Sequence, residues 1–141
     1  MYNISLNKKK IDVTINGIKL IKTIAGTNDE VYLAGETIGG HKVVYIKNDS
    51  KVYIADKDNP ECINKIVGIT TGAVVSGESV TIRKSGKLNG FGTLTVGAVY
   101  YLGSAGAITT TAATSGFIQI VGFSIDTDIL ETEKSISFSL I

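Results

Sequence analysis

The sequence predicts an all-β protein: two small tandem antiparallel β units, sandwich-like or barrel-like, behind an N-terminal arm and β-hairpin. Three observations predict it. The chain repeats itself. Val43-Val44-Tyr45-Ile46 aligns with Val99-Tyr100-Tyr101-Leu102, 56 positions later, and Val52 aligns with Ile108 at the same offset. Ile66-Val67-Gly68-Ile69 aligns with Ile120-Val121-Gly122-Phe123 at an offset of 54, so the loop between is two residues shorter in the second copy. Gly77 to Ile82 also aligns with Glu133 to Phe138, at 56. The second observation is punctuation: sixteen Gly and one Pro divide short apolar runs, as turns divide strands. The third is that no window keeps apolar residues three and four apart over about ten positions, so no long helix is expected.

Each element follows in order. Met1 to Lys10 carries little periodic signal and reads as a solvated arm or an anchor to a partner. Ile11, Val13 and Ile15 alternate with Asp12, Thr14 and Asn16, the period of a half-buried strand. Asn16-Gly17 then predicts a tight hairpin, because its turn needs positive φ at both central residues. That turn pairs Ile15 with Ile18 and Val13 with Leu20. Ala25 to Glu30 reads as a loop, and Val31-Tyr32-Leu33 as a short strand. His41 to Ile46 and Lys51 to Ala55 form a hairpin around Asn48-Asp49-Ser50. Asp56 to Asn64 is a polar loop holding Pro60. Lys65 to Thr70, Ala73 to Val75 and Ser79 to Arg83 are strands, the last closed by a turn at Ser85-Gly86.

The second unit repeats this order. Thr93 to Val96, Ala98 to Leu102, Ala107 to Thr111 and Phe117 to Ser124 are strands, and Asp126 to Glu131 is an acidic loop. Ile136, Phe138 and Leu140 alternate with Ser135, Ser137 and Ser139, which predicts a last strand paired inside a sheet. The expected division is residues 1–25 for arm and hairpin, 26–87 for the first unit and 88–141 for the second.

Composition excludes several classes. The net charge is +1, so nothing draws the chain generally to nucleic acid or to an anionic membrane. The N-terminus lacks the apolar core of a signal peptide, and no run reaches 18 apolar residues, so no transmembrane helix is expected. Cys62 is alone, so no intrachain disulfide forms, which fits synthesis in a reducing cytoplasm. The charge distribution is unusual: the 38 positions from Leu88 to Ile125 hold no charged residue. Either this is a neutral β surface covered by Thr and Ser, or part of it is buried between copies, since interface cores are depleted in charge. A closed symmetric homo-oligomer is the usual form of such packing.

Little in the sequence points to catalysis. A nucleophile–histidine system could use only His41 or Cys62, and neither has a flanking nucleophile motif. His41 follows Gly39-Gly40, where an exposed turn histidine is the ordinary reading, and Cys62 reads as a small apolar residue. Two His or Cys residues are too few for a zinc site within one chain. Asp56 to Glu61 and Asp126 to Glu131 both read D-x-D-x-x-E, but neither has the glycine and spacing of a calcium loop. No phosphate-cradling G-x-x-x-x-G-K-S/T is present. Tyr32, Tyr45, Tyr53, Tyr100 and Tyr101 are candidates to stack on sugars or bases, but four of them lie in strand patterns, where core or interface packing is the better reading. No catalytic, cofactor-binding or metal residue is assigned, and no cofactor is expected.

One resemblance adds to this. The pattern A-G-E-T-I, V-V-Y-I, K-V-Y-I-A-D, I-V-G-I-T and G-E-S-V-T-I, from Ala34 to Ile82, resembles small bacteriophage capsid-decoration proteins. L-T-V-G-A-V-Y-Y-L-G, G-A-I-T-T-T-A and G-F-I-Q-I-V-G-F-S, from Leu94 to Ser124, resemble β domains of phage head-fibre and tail-fibre proteins. The resemblance covers Val31 to Ile141 and is one of strands and turns, not of a site. It implies a β-rich, often trimeric, non-enzymatic virion protein on the capsid surface, attached to the major capsid protein or another virion protein through the N-terminal segment. A receptor- or glycan-binding module of a tail fibre is the alternative, and a depolymerase with converging carboxylates ranks third. The hairpin at Ile11 to Ile21 departs from these families.

Overall fold

The structure is a computed structural model. It describes residues 27–133 and 137–140 in full, together with the backbone pairing of three strands between residues 2 and 23. Those three are β1 (Tyr2–Leu6), β2 (Lys10–Ile15) and β3 (Ile18–Thr23), an antiparallel sheet in the order β1-β2-β3. Ile15 pairs with Ile18 and Val13 with Leu20, the register expected of the hairpin, and the turn residues Asn16-Gly17 lie outside the described residues. The arm expected at Met1 to Lys10 is corrected: Tyr2–Leu6 pairs along β2 from Tyr2 opposite Ile15 to Leu6 opposite Ile11. Its signal was the alternation of Tyr2, Ile4 and Leu6 with Asn3 and Ser5.

The first unit closes on itself. It comprises β4 (Asn28–Ala34), β5 (Val43–Ile46), β6 (Lys51–Ile54), β7 (Ile66–Thr70) and β8 (Ser79–Leu88). Hydrogen bonding runs β8-β4-β6-β5-β7 and returns from β7 to β8, making a five-stranded barrel. The β4–β6 pair is parallel, and the others are antiparallel. Ala34, Val44, Val52, Val67, Val80 and Ile82 fill the interior. Ile38 and Val74 are buried with them and joined by a two-residue bridge, which is all that the expected strand at Ala73 to Val75 forms.

The second unit is an open version of the same sheet. It comprises β9 (Val99–Leu102), β10 (Ile108–Thr109), β11 (Phe117–Ile118), β12 (Ile120–Ser124), β13 (Leu130–Thr132) and β14 (Phe138–Ser139). Its order is β10-β9-β12-β13-β8, while β11 and β14 pair apart. Strand β8 therefore serves both units. Its first half pairs with β4 and β7, and Gly86 to Leu88 pair with β13. The turn expected at Ser85-Gly86 is instead a bend in a continuous strand, at which Gly86 takes φ 98°. The expected boundary between residues 87 and 88 falls inside this strand.

The duplication holds at the level of single hydrogen bonds. Val43, Val44 and Tyr45 pair with Ile69, Gly68 and Ile66. Val99, Tyr100 and Tyr101 pair with Phe123, Gly122 and Ile120. Both ladders skip one residue at the same place, Val67 and Val121, as a β-bulge does. Ile46 N–H reaches Lys65 carbonyl at 3.1 Å, and Leu102 N–H reaches Gln119 carbonyl at 2.9 Å. Thr70 N–H reaches Lys42, and Ser124 N–H reaches Ala98, both at 2.9 Å.

The third aligned block is corrected. Arg83 lies opposite Ile69 and Glu131 lies opposite Phe123, so Leu130-Glu131, not Phe138-Ser139, take the place of Ile82-Arg83. The second unit borrows β8 as its outer strand and so reaches its next strand early. That also converts the end of the expected acidic loop at Asp126 to Glu131 into β13. Among the described residues, the last strand pairs Phe138-Ser139 with β11, and Phe138 and Leu140 are exposed, which overturns their expected burial; Ile136 lies outside the described residues.

The two units share a second core. Val43, Tyr45 and Ile69 on the outside of the barrel pack against Tyr100, Leu102 and Val121 of the open sheet. Strands β5 and β7 are thus buried on both faces, which is why they read as unbroken apolar runs. Full burial of each such side chain contributes about 1.5–3 kcal/mol. Backbone bonds cross the junction as well: Gly106 N–H to Ala55 carbonyl at 2.6 Å, Val43 N–H to Gly106 carbonyl at 2.9 Å, and Phe117 N–H to Lys57 carbonyl at 2.9 Å. Among the described residues, no helix is long and apolar enough to cross a membrane.

A side chain at Gly68 would overlap the Arg83 carbonyl, and one at Gly122 would overlap the Glu131 carbonyl. Gly68→Ala and Gly122→Ala are each expected to lower stability by about 1–3 kcal/mol in denaturant titrations. Gly72→Ala, which meets nothing within 4 Å, is the control and should change little.

Candidate functional site

The titratable residues singled out in the sequence do not converge. Their roles in the structure are local. Asp56 accepts the Asp58 N–H at 2.9 Å with one carboxylate oxygen and the Ala105 N–H at 3.0 Å with the other. Asp58 accepts from the Ser115 hydroxyl at 2.7 Å and pairs with Lys57 at 2.9 Å, and the Lys57 ammonium holds the Asp58 carboxyl below its ordinary range. This loop therefore fastens the first unit to the second.

The other loop repeats the local device. Asp126 accepts the Asp128 N–H at 3.1 Å, and Asp128 accepts the Gly90 N–H at 3.0 Å. The D-x-D spacing is thus explained by a side chain capping the backbone two residues on. Among the described residues, no group of three or more His, Cys, Asp or Glu is placed to hold a metal ion.

His41 sits at φ 56°, a conformation histidine tolerates better than most residues. Its N–H bonds the Thr70 carbonyl at 3.0 Å. The equivalent residue of the second unit is Gly97, at φ 79°, whose N–H bonds the Ser124 carbonyl at 2.8 Å. The His41 ring stacks on Phe91 at 4.1 Å between centroids, inclined by 15°. Its ring neighbour is therefore an apolar face, not a nucleophile. Cys62 is fully buried in the 3-10 turn Pro60–Cys62, and burial pushes its thiol pKa up.

The tyrosines divide. Tyr45 and Tyr100 are buried in the shared core, and the Tyr100 hydroxyl accepts the Thr95 N–H at 2.8 Å. Neither presents a stacking face to a ligand. The Tyr53 hydroxyl donates to Asp49 at 2.5 Å, lowering the pKa of that carboxyl and raising its own, while Lys47 lies 4.2 Å from the ring centre. The Tyr32 hydroxyl donates to Glu30 at 2.6 Å, which pushes the Tyr32 pKa to about 12. Tyr101 is half-buried on the outside of the open sheet.

Two surface features were not read from the sequence. One is an open groove of about 390 Å³ beside the β9–β10 turn, lined by Lys57, Ser104, Thr109, Thr111 and Thr114 among others. The threonine run Thr109-Thr110-Thr111 was its signal. The other is a set of exposed apolar side chains on the outer face of the open sheet, including Val99, Phe123 and Ile125. The fold defines the chain as an all-β protein: a closed five-stranded barrel fused to an open copy of itself. Compared with known proteins, the chain matches no family model and no curated protein.

Cys62 should resist a thiol-specific disulfide reagent at mildly alkaline pH in the native protein and react fully in denaturant. Rapid native reaction would show an accessible thiolate and reopen a role in chemistry.

Proposed function

We propose that the chain is a non-enzymatic structural protein of a bacteriophage virion, a decoration or head-fibre subunit projecting from the capsid surface. One observation carries the reading: the carboxylates, histidine and cysteine that chemistry would draw on are engaged in turns, stacking and core packing, within a duplicated β unit. Such a scaffold supplies rigidity and surface, the two things a decoration subunit provides. The strand-and-turn pattern from Val31 to Ile141 that resembles phage decoration and fibre proteins supports the same reading. In this reading the chain is a homotrimer, and the three-stranded N-terminal sheet is the segment that meets the major capsid protein or another virion protein.

The test is the composition of purified phage particles. Mass spectrometry should find the chain in fixed proportion to the major capsid protein, and antibody labelling should place it on the head. Its absence from particles would overturn the reading, and label confined to the tail tip would favour a tail-fibre module instead.

A further inference from the structure

The duplication places four equivalent positions on the outer face of each sheet. In the barrel they are Val43, Tyr45, Ile66 and Ile69, and in the open sheet they are Val99, Tyr101, Ile120 and Phe123. The side-chain types match: valine with valine, tyrosine with tyrosine, isoleucine with isoleucine, and isoleucine with phenylalanine. Directly paired residues of an antiparallel ladder share a face, so each set forms one surface. Their environments differ. Val43 and Ile69 are 0% and 1% exposed because the open sheet lies over them, whereas Val99 and Phe123 are 41% and 38% exposed. Ile125, two residues beyond Phe123, is 40% exposed and enlarges the patch.

Among the described residues, no third unit lies over this face. The inner face of the open sheet, Tyr100, Leu102 and Val121, is already spent on the barrel. We propose that the Val99–Phe123 face is a self-association surface, meeting the same face of other copies of this chain around a symmetry axis. Where a face meets its own copy, a charge close to the symmetry axis meets its own like charge, so a self-facing patch is best neutral at its centre. This one is: Val99, Tyr101, Ile120, Phe123 and Ile125 all fall in the 38-residue stretch without charge. Charge enters at the rim: along the row from Phe123 at Glu131 and then Lys87, and beside Ile120 at Glu133 and Lys84. A sheet face of apolar residues that its own repeat buries is a surface built for cover. The inference names the contact by which copies associate. It does not depend on the virion reading, because it concerns the purified chain alone.

The test is the mass of the full chain in solution by light scattering, with circular dichroism to confirm folding. The wild type should give a multiple of the 14.9 kDa chain mass, three copies being expected. Phe123→Lys and Phe123→Glu should each fall to a single chain, about threefold lower in mass. Val31→Lys, at a more exposed apolar residue on β4, should leave the mass unchanged. If Phe123→Lys fails to fold, Val99→Lys carries the same expectation. A wild type that stays a single chain at its highest soluble concentration would overturn the proposal. So would an oligomer that the folded Phe123 or Val99 variants leave intact. Particle composition tests the virion reading separately, so failure of one leaves the other standing.

Discussion

The structure depends on the burial of the barrel's outer face beneath the open sheet. That contact gives β5 and β7 two dry faces and sets the shared core of Val43, Tyr45, Ile69, Tyr100, Leu102 and Val121. It also governs the connections. The turn at Gly106 must come close enough to exchange hydrogen bonds with Val43 and Ala55, and a side chain there would crowd Lys42 and Ile54. At Gly116 a side chain would collide with the Lys57 carbonyl. Both positions have positive φ, so glycine answers a steric and a conformational requirement together. The polar loops follow from the same contact: Asp56 and Asp58 spend their carboxylates on Ala105 and Ser115 across the junction.

The two copies share a backbone plan and differ in closure. In the first, β4 and β6 pair in parallel and complete the ring, so the inner face fills itself with Ala34, Val44, Val52 and Val67. In the second, β10 is only two residues long, and the chain departs through Thr110 to Gly116 to form β11 against β14. Its inner face is filled by the outside of the barrel instead. One strand, β8, bent at Gly86, supplies an edge to each. A duplicated unit has thus become a single body in which the second copy completes the core of the first, with its own outer face partly exposed at Val99 and Phe123.

Much of this was legible in the sequence, because it rests on local pattern. The all-β class, the tight register of the Ile15–Ile18 hairpin and the Gly68–Gly122 equivalence all follow from turn residues and repeated strings. What was not legible depends on tertiary partners. Nothing local at Ser85-Gly86 distinguishes a turn from a bend in a strand that changes neighbours, since glycine serves both. The sharing of β8 shifted the register of everything after Ser124, so Leu130 to Thr132 became a strand where the acidic residues suggested a loop. Tyr100 and Tyr101 are adjacent and alike in sequence, yet one is core and the other faces outward, and only the pairing with Gly122 and Ile120 separates them. The D-x-D loops carried a metal-like signal because the same carboxylate geometry that holds a cation also caps a turn.

The central claim is that barrel and open sheet form one cooperative unit joined by a shared core. Native-state amide hydrogen exchange under increasing denaturant tests it most directly. The account predicts that the amides of Val44 and Val52 in the barrel and of Tyr101 and Leu102 in the open sheet exchange through one global opening, with the same free energy and the same denaturant dependence. Open-sheet amides that exchange at a free energy lower by more than about 2 kcal/mol, while the barrel stays protected, would contradict it.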